Sequence, residues 1–165
     1  MRDYLTAGDF SALSRGGLAE ACLACSARFS PMFAAFATRS GPRDYDDLVR
    51  DLWACAGREV SAREAEEFER RMEAFPEVGC DDSYLLDYYA MSVMGIPFEA
   101  LHVLAGGGVE RALACSELAL ELLGGFRVLL GDEKSDLWDA ERQEQLRVIA
   151  GLKAGRHPTF DSCLA

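Results

Sequence analysis

The sequence predicts an all-α protein, a single compact bundle of about six or seven helices. Three observations carry this. Apolar residues recur at spacings of three and four almost throughout. No segment alternates apolar and polar residues long enough to make a strand. Glycines and prolines fall between the periodic runs, where they punctuate helices. The 165 residues, 50% hydrophobic and 27% charged, suit one domain with its own core. We read residues 1–165 as one helical domain whose ends fray at about 1–8 and 156–165.

The elements follow in order. Between Gly17 and Phe29, Leu18, Ala21, Cys22, Cys25 and Phe29 form an apolar stripe. Pro31 restarts the chain, because proline suits a first helical turn. Met32, Phe33 and Phe36 carry an apolar face to about Thr38, and Ser40-Gly41-Pro42 is a stop and turn. A helix then runs from about Asp44 to Ala56, with Tyr45, Leu48, Val49, Leu52 and Trp53 on one side. Its acids Asp44, Asp46 and Asp47 complement the dipole in the first turn. Ser61-Ala62-Arg63-Glu64 fits a capping box and opens a polar helix to about Phe75. Its narrow stripe of Phe68, Met72 and Phe75 places it on the outside with one edge buried.

Asp81-Asp82-Ser83 precedes a helix from Tyr84 to Met94, which Gly95-Ile96-Pro97 is expected to break or kink. A short continuation, Phe98 to Leu104, ends at Gly106-Gly107-Gly108. Val109 to Leu123 is apolar almost all round and is expected as the central, buried helix. After Gly124-Gly125, residues 126–130 read as one more helical turn or a short strand. A last helix spans about Ser135 to Ala154.

Charge narrows function. The net charge is -11, from 28 acids and 17 bases. Residues 41–80 hold 11 acids against 6 bases, and residues 81–125 hold 7 against 1. Nucleic-acid binders need cations to displace counterions, so nucleic-acid binding is not expected. An anionic membrane surface is disfavoured for the same reason, and no run of about 20 apolar residues spells a membrane span. Two readings of the acidic middle stand: a solvated, solubilising surface, or a docking face for a basic partner.

MRDYLTAGDF carries one Arg and two Asp and no apolar core of a secretory signal. Six cysteines without such a signal read as reduced cytoplasmic thiols. Cys22-Leu23-Ala24-Cys25 is a CxxC, but no second pair of ligands at zinc-like spacing accompanies it. It also lies within a helical stretch instead of opening one after a strand, so buried core cysteine is the better reading.

Catalytic constellations are sparse. The glycine runs match neither dinucleotide nor phosphate loops and follow no strand, so no cofactor is expected. The two histidines, His102 and His157, are unpaired. Glu99-Ala100-Leu101-His102 occurs once, where a carboxylate metal bundle needs two such pairs. Asp87, beside Tyr88 and Tyr89, is the one acid in an apolar setting. Facing inward, it would pair with a Tyr hydroxyl or an Arg, and burial would raise its pKa. A small enzyme using Asp87 and His102 would require the chain to fold back at Pro97.

The stretch from Ala21 through Cys22, Cys25, Arg28, Pro31 and Phe36, then Ser40-Gly41 and Leu48 to Trp53, resembles the YjaG-like family of uncharacterised bacterial proteins. Glu73 to Pro76, Asp81 to Tyr84, Tyr89-Ala90 and Glu141 to Leu146 extend the resemblance over about Leu18 to Lys153. It departs at Gly131-Asp132 and at Gly106–Gly108. The resemblance implies a small, cytosolic, all-helical protein with no assigned reaction, and a relation to immunity proteins that accompany toxins. The shared residues are apolar or turn-forming and argue mainly for a shared fold.

The functional expectation is a non-enzymatic, acidic protein-binding module, most concretely an immunity-type inhibitor that occludes a basic toxin. Asp44, Asp47, Asp51, Asp81, Asp82 and Asp87 would pair with a cationic rim, and Tyr45 and Tyr84 would anchor the centre as exposed aromatics. The alternative is a housekeeping scaffold or regulator, dimeric through an apolar helix face, whose acidity serves solubility alone.

Overall fold

The computed structural model describes residues 4–41, 43–79, 85–130 and 136–165. Among the described residues the chain forms nine α-helices and no strand. They are α1 (Ala7–Phe10), α2 (Arg15–Arg28), α3 (Ser30–Phe36), α4 (Asp44–Trp53), α5 (Ala62–Glu73), α6 (Leu85–Leu104), α7 (Val109–Leu130), α8 (Leu137–Lys153) and α9 (Phe160–Leu164). The all-α bundle is as expected. The two additional helices are short: α1 borders the N-terminal stretch expected to fray, and α9 lies within the C-terminal one. Leu5 and Phe10 are buried, and α1 packs on α7 and α8. Phe160 is buried, and α9 packs on α2 and α4. Burying one large apolar side chain is worth about 1.5–3 kcal/mol, which offsets part of the ordering entropy of a short segment.

The most enclosed helix is α2, not the Val109–Leu123 helix. It packs against α3, α4, α6, α7, α8 and α9, and Gly17–Ala27 are buried save Glu20. Ala19, Ala21, Cys22, Ala24, Cys25, Ser26 and Ala27 supply the reason: small side chains let several helices approach one axis. By contrast α7 keeps Glu110, Arg111, Glu117 and Glu121 exposed. Its apolar circumference faces α1, α2, α6 and α8, and the acids ride the remaining strip.

The break expected at Gly95-Ile96-Pro97 is absent, and α6 runs through Pro97 as one helix. A proline inside a helix forfeits one hydrogen bond. The flanking Val93, Met94, Ile96, Ala100, Leu101 and Val103 are all buried, so packing holds the helix continuous through the proline. Gly95 permits the close approach of α7: a Cβ there would lie 2.7 Å from a Leu118 methyl. Gly124-Gly125 likewise interrupts nothing, and residues 126–130 complete α7. Where a turn is needed, the glycine does act. Gly106, at φ 107°, ends α6, with the Gly107 N–H donating to the His102 carbonyl at 2.8 Å.

The Ser61 capping box forms as expected. The Ser61 hydroxyl accepts from the Glu64 N–H, and the Ser61 N–H donates to the Glu64 carboxylate at 3.0 Å. In α5, Met72 is buried and Phe68 half-buried, and the helix lies against α6.

Candidate functional site

The exposed acids of α4 form the most coherent feature among the expected site residues. Tyr45, Leu48, Val49 and Leu52 recur at three and four and turn inward. Asp44, Asp47 and Asp51, at i, i+3 and i+7, therefore share an outward stripe, and all three are exposed. Asp44 accepts the Gly41 N–H at 2.6 Å, tying down the preceding turn. Asp51 accepts from Arg71 at 2.7 Å, which links α4 to α5. Asp47 stands in no ion pair among the described residues. On α5, Glu66, Glu67 and Glu73 add further exposed acids.

Of the nearby cations, Arg71 is on the stripe itself at Asp51 and Arg43 is exposed beside Asp44, while two others are engaged elsewhere. Arg50 binds Asp161 at 2.6 Å, and Arg58 binds Glu64 at 2.7 Å. Such exposed pairs add little stability. Their consequence is that the surplus acids dominate the field at this face. Glu64 shows the local electrostatics best: hydrogen bonds from Arg58, then from the Ser61 hydroxyl and N–H, hold its pKa down at about 2.

Other expected site residues are placed differently. Tyr45 is 1% exposed; its ring stacks on Phe33 at 4.6 Å and its hydroxyl donates to the Ser26 carbonyl at 3.0 Å. It is a core residue and cannot anchor a partner. Asp87 is also buried, so it does not belong to an acidic surface. It accepts from the Thr38 hydroxyl at 2.8 Å and from Arg39 at 2.7 Å, so its partner is an Arg, one of the two alternatives read from the sequence. Asp81, Asp82 and Tyr84 lie outside the described residues.

Asp87 works beside Glu77, and together they staple the α3–α4 connection. Buried Glu77 accepts the Arg39 N–H at 2.9 Å, the Ser40 N–H at 2.8 Å and the Ser40 hydroxyl. Burial pushes the Glu77 carboxyl up, but the Ser40 hydroxyl and these N–H groups outweigh it and hold it below the ordinary value. The Asp87–His102 pair fails on geometry. Both sit on the unbroken α6, and 15 residues at 1.5 Å each put them about 22 Å apart. His102 instead packs edge-on to Phe98 at 4.6 Å, with Glu99 4.0 Å from its Nδ1.

A polar network that sequence reasoning missed runs through the core. Arg28 donates to both carboxylate oxygens of Glu141, Nε at 2.9 Å and Nη2 at 2.6 Å. Gln145 donates to Glu141 at 3.0 Å, and Ser116 donates to Gln145 at 2.5 Å. Burial would pull the Arg28 pKa down; Cys25 and Glu141 beside it reverse this and hold it above the usual arginine value. One signal was legible: Arg28 is the only base in the Ala- and Cys-rich run from Gly16 to Phe36.

Cys22, Cys25 and Cys115 lie next to this network around a cavity of about 10 Å³, near the lower limit for one water. All three are buried, in keeping with core cysteine. The Cys25 thiol is pushed well up by its contact with Cys115 and by burial. Among the described residues no three metal-ligating side chains are grouped to hold an ion, and no helix is long and apolar enough to cross a membrane.

Two clefts open on the surface of α8. A groove of about 320 Å³ is walled by Pro31, Met32, Leu123, Leu137 and Leu164, above Arg28 and Glu141. A second, of about 480 Å³, lies between the C-terminal half of α8 and α9.

No family model, no curated protein and no solved structure matches this chain.

Proposed function

We propose that this chain is a non-enzymatic protein-binding module that engages a basic partner through the acidic stripe of α4 and the exposed acids of α5. Its most concrete form is an immunity-type inhibitor that covers the cationic rim of a toxin, in a cytoplasmic setting. The relation to the YjaG-like family belongs to this same proposal. The observation that carries the reading is the alignment of Asp44, Asp47 and Asp51 on one exposed face, where among the described residues only Asp51 pairs with a cation, Arg71, while Arg50 and Arg58 are spent on other acids. Such a face attracts a cationic surface at long range and fixes its orientation.

The test is capture from native cell lysate by the tagged protein and by its Asp44→Lys/Asp47→Lys variant, at low and high salt. The proposal expects one basic partner, weakened by salt and lost by the variant. With that partner purified, the variant should associate about tenfold more slowly at low salt. Retention of the same partner by both proteins, insensitive to salt, would refute the acidic face.

A second reading, a dimeric scaffold, is favoured by the α8 groove, where Leu137 and Leu164 are 42% and 44% exposed. Light scattering on the wild type and on Leu137→Glu separates the two. A dimer that the substitution dissociates supports the scaffold, and a monomer at every concentration removes it.

A further inference from the structure

The cleft between α8 and α9 contrasts with the rest of this acidic molecule. Among the described residues its charged lining is Arg147, Arg156 and His157, with no carboxylate in the wall. Its volume of about 480 Å³ lies in the range of small-molecule sites. We propose that this cleft binds a small phosphate-bearing anion, a phosphomonoester with a compact organic group.

Three features support the assignment. Arg156 makes no side-chain hydrogen bond or ion pair among the described residues, in a chain whose acids outnumber its bases by 11. Its backbone is nonetheless fixed, because α8 ends in a turn at Gly155 in which the Arg156 N–H donates to the Gly151 carbonyl at 2.8 Å. The root of this side chain is therefore fixed at the cleft, and its exposed guanidinium is not neutralised by any described carboxylate.

His157 is oriented as well. Its Nδ1 lies 2.7 Å from the Glu20 carboxylate, and in the imidazolium form Nδ1–H donates to Glu20 while Nε2–H is left to donate to an anion. Arg147 spends Nε and Nη2 on Glu144, which leaves Nη1.

The donor set selects the anion. Two guanidinium groups and an imidazole spread around one cleft exceed what the two oxygens of a carboxylate can use. They suit the three terminal oxygens and the near-double charge of a phosphomonoester. Val148 and Pro158 provide apolar wall for the organic group. The site is separate from the acidic stripe of α4, and this inference does not rest on the partner reading.

The test is titration of the ¹⁵N-labelled protein with phenyl phosphate, inorganic phosphate and benzoate, read by amide chemical shifts and calorimetry. Saturable shifts at Gly151, Arg156, His157 and Cys163 are expected, with phenyl phosphate tighter than inorganic phosphate and benzoate weakest. Arg156→Ala should weaken phenyl phosphate about tenfold or more, Arg156→Lys less, and Arg63→Ala on α5 not at all. Circular dichroism confirms that each variant folds.

The site is overturned if no shift saturates at these amides by about 10 mM, or if Arg156→Ala binds as the wild type does. Equal affinity for phenyl phosphate and inorganic phosphate overturns the organic subsite. Equal affinity for benzoate overturns the phosphate assignment.

Discussion

Removing the Glu141 carboxylate should destabilise the fold more than any surface substitution. The side chains of Arg28 and Glu141 are 12% and 7% exposed, and the pair is bidentate. Glu141→Ala would leave the Arg28 guanidinium out of water with no anion, and would strip Gln145 of its acceptor. Breaking a buried pair from one side costs about 3–5 kcal/mol. Whole-domain stability is about 5–15 kcal/mol, so the variant should still fold. A shift of about 2–4 °C per kcal/mol in a chain this long gives a fall in Tm of about 6–20 °C.

The control is the apolar replacement Arg28→Met/Glu141→Leu. It removes both charges together and should lie within a few kcal/mol of the wild type, on either side. The assay is urea and thermal unfolding followed by circular dichroism, with Arg28→Ala completing a double-mutant cycle. A loss below about 1 kcal/mol for Glu141→Ala, the range of exposed pairs, would refute the reasoning. Additivity of Glu141→Ala and Arg28→Ala would refute it equally, because the pair would then not be interacting.

Three further predictions follow from named contacts. Tyr45→Phe should cost about 1 kcal/mol by urea unfolding, through loss of its buried bond to the Ser26 carbonyl, and leave partner affinity unchanged. Lost affinity with intact stability would return Tyr45 to the interface. The Glu64 carboxylate should titrate near pH 2 by NMR. Its folded pKa lies below the unfolded one, so its stabilising effect is complete above the unfolded value and is lost as pH falls through about 2. In Ser61→Ala the midpoint should move back toward the ordinary carboxylate value. Iodoacetamide should modify Cys163 in the native protein, slowed because burial raises its thiol pKa, while buried Cys22, Cys25 and Cys115 should react only in denaturant. Equal native labelling of all four, mapped by mass spectrometry, would contradict the packing of α2.

The acidic stripe was readable only in part. Positions 45, 48, 49 and 52 share a period, and that alone puts Asp44, Asp47 and Asp51 outward. The same period buries Tyr45, so its role as an exposed anchor conflicted with the pattern from the start. Asp87 was harder to place. A lone acid in an apolar run faces in or out according to whether a cation waits for it, and Arg39 lies 48 residues away in sequence.

What the sequence by itself determined is local: the helical periods, the capping box at Ser61 and Glu64, and the stop at Gly106. Each depends on residues within about one turn of one another, and those contacts exist wherever the segment sits. Tertiary structure decided the rest. Pro97 and Gly124-Gly125 are ordinary breakers, yet α6 and α7 pass through them. Around Pro97 the buried Val93, Met94, Ile96, Ala100 and Leu101 offset the lost hydrogen bond, while the glycine pair costs α7 only backbone entropy. The short helices α1 and α9 form because Phe10 and Phe160 find the core. Arg28 and Glu141, 113 residues apart, meet because α2 and α8 pack together. Such pairings arise from the three-dimensional arrangement of helix faces, and no local window of sequence contains them.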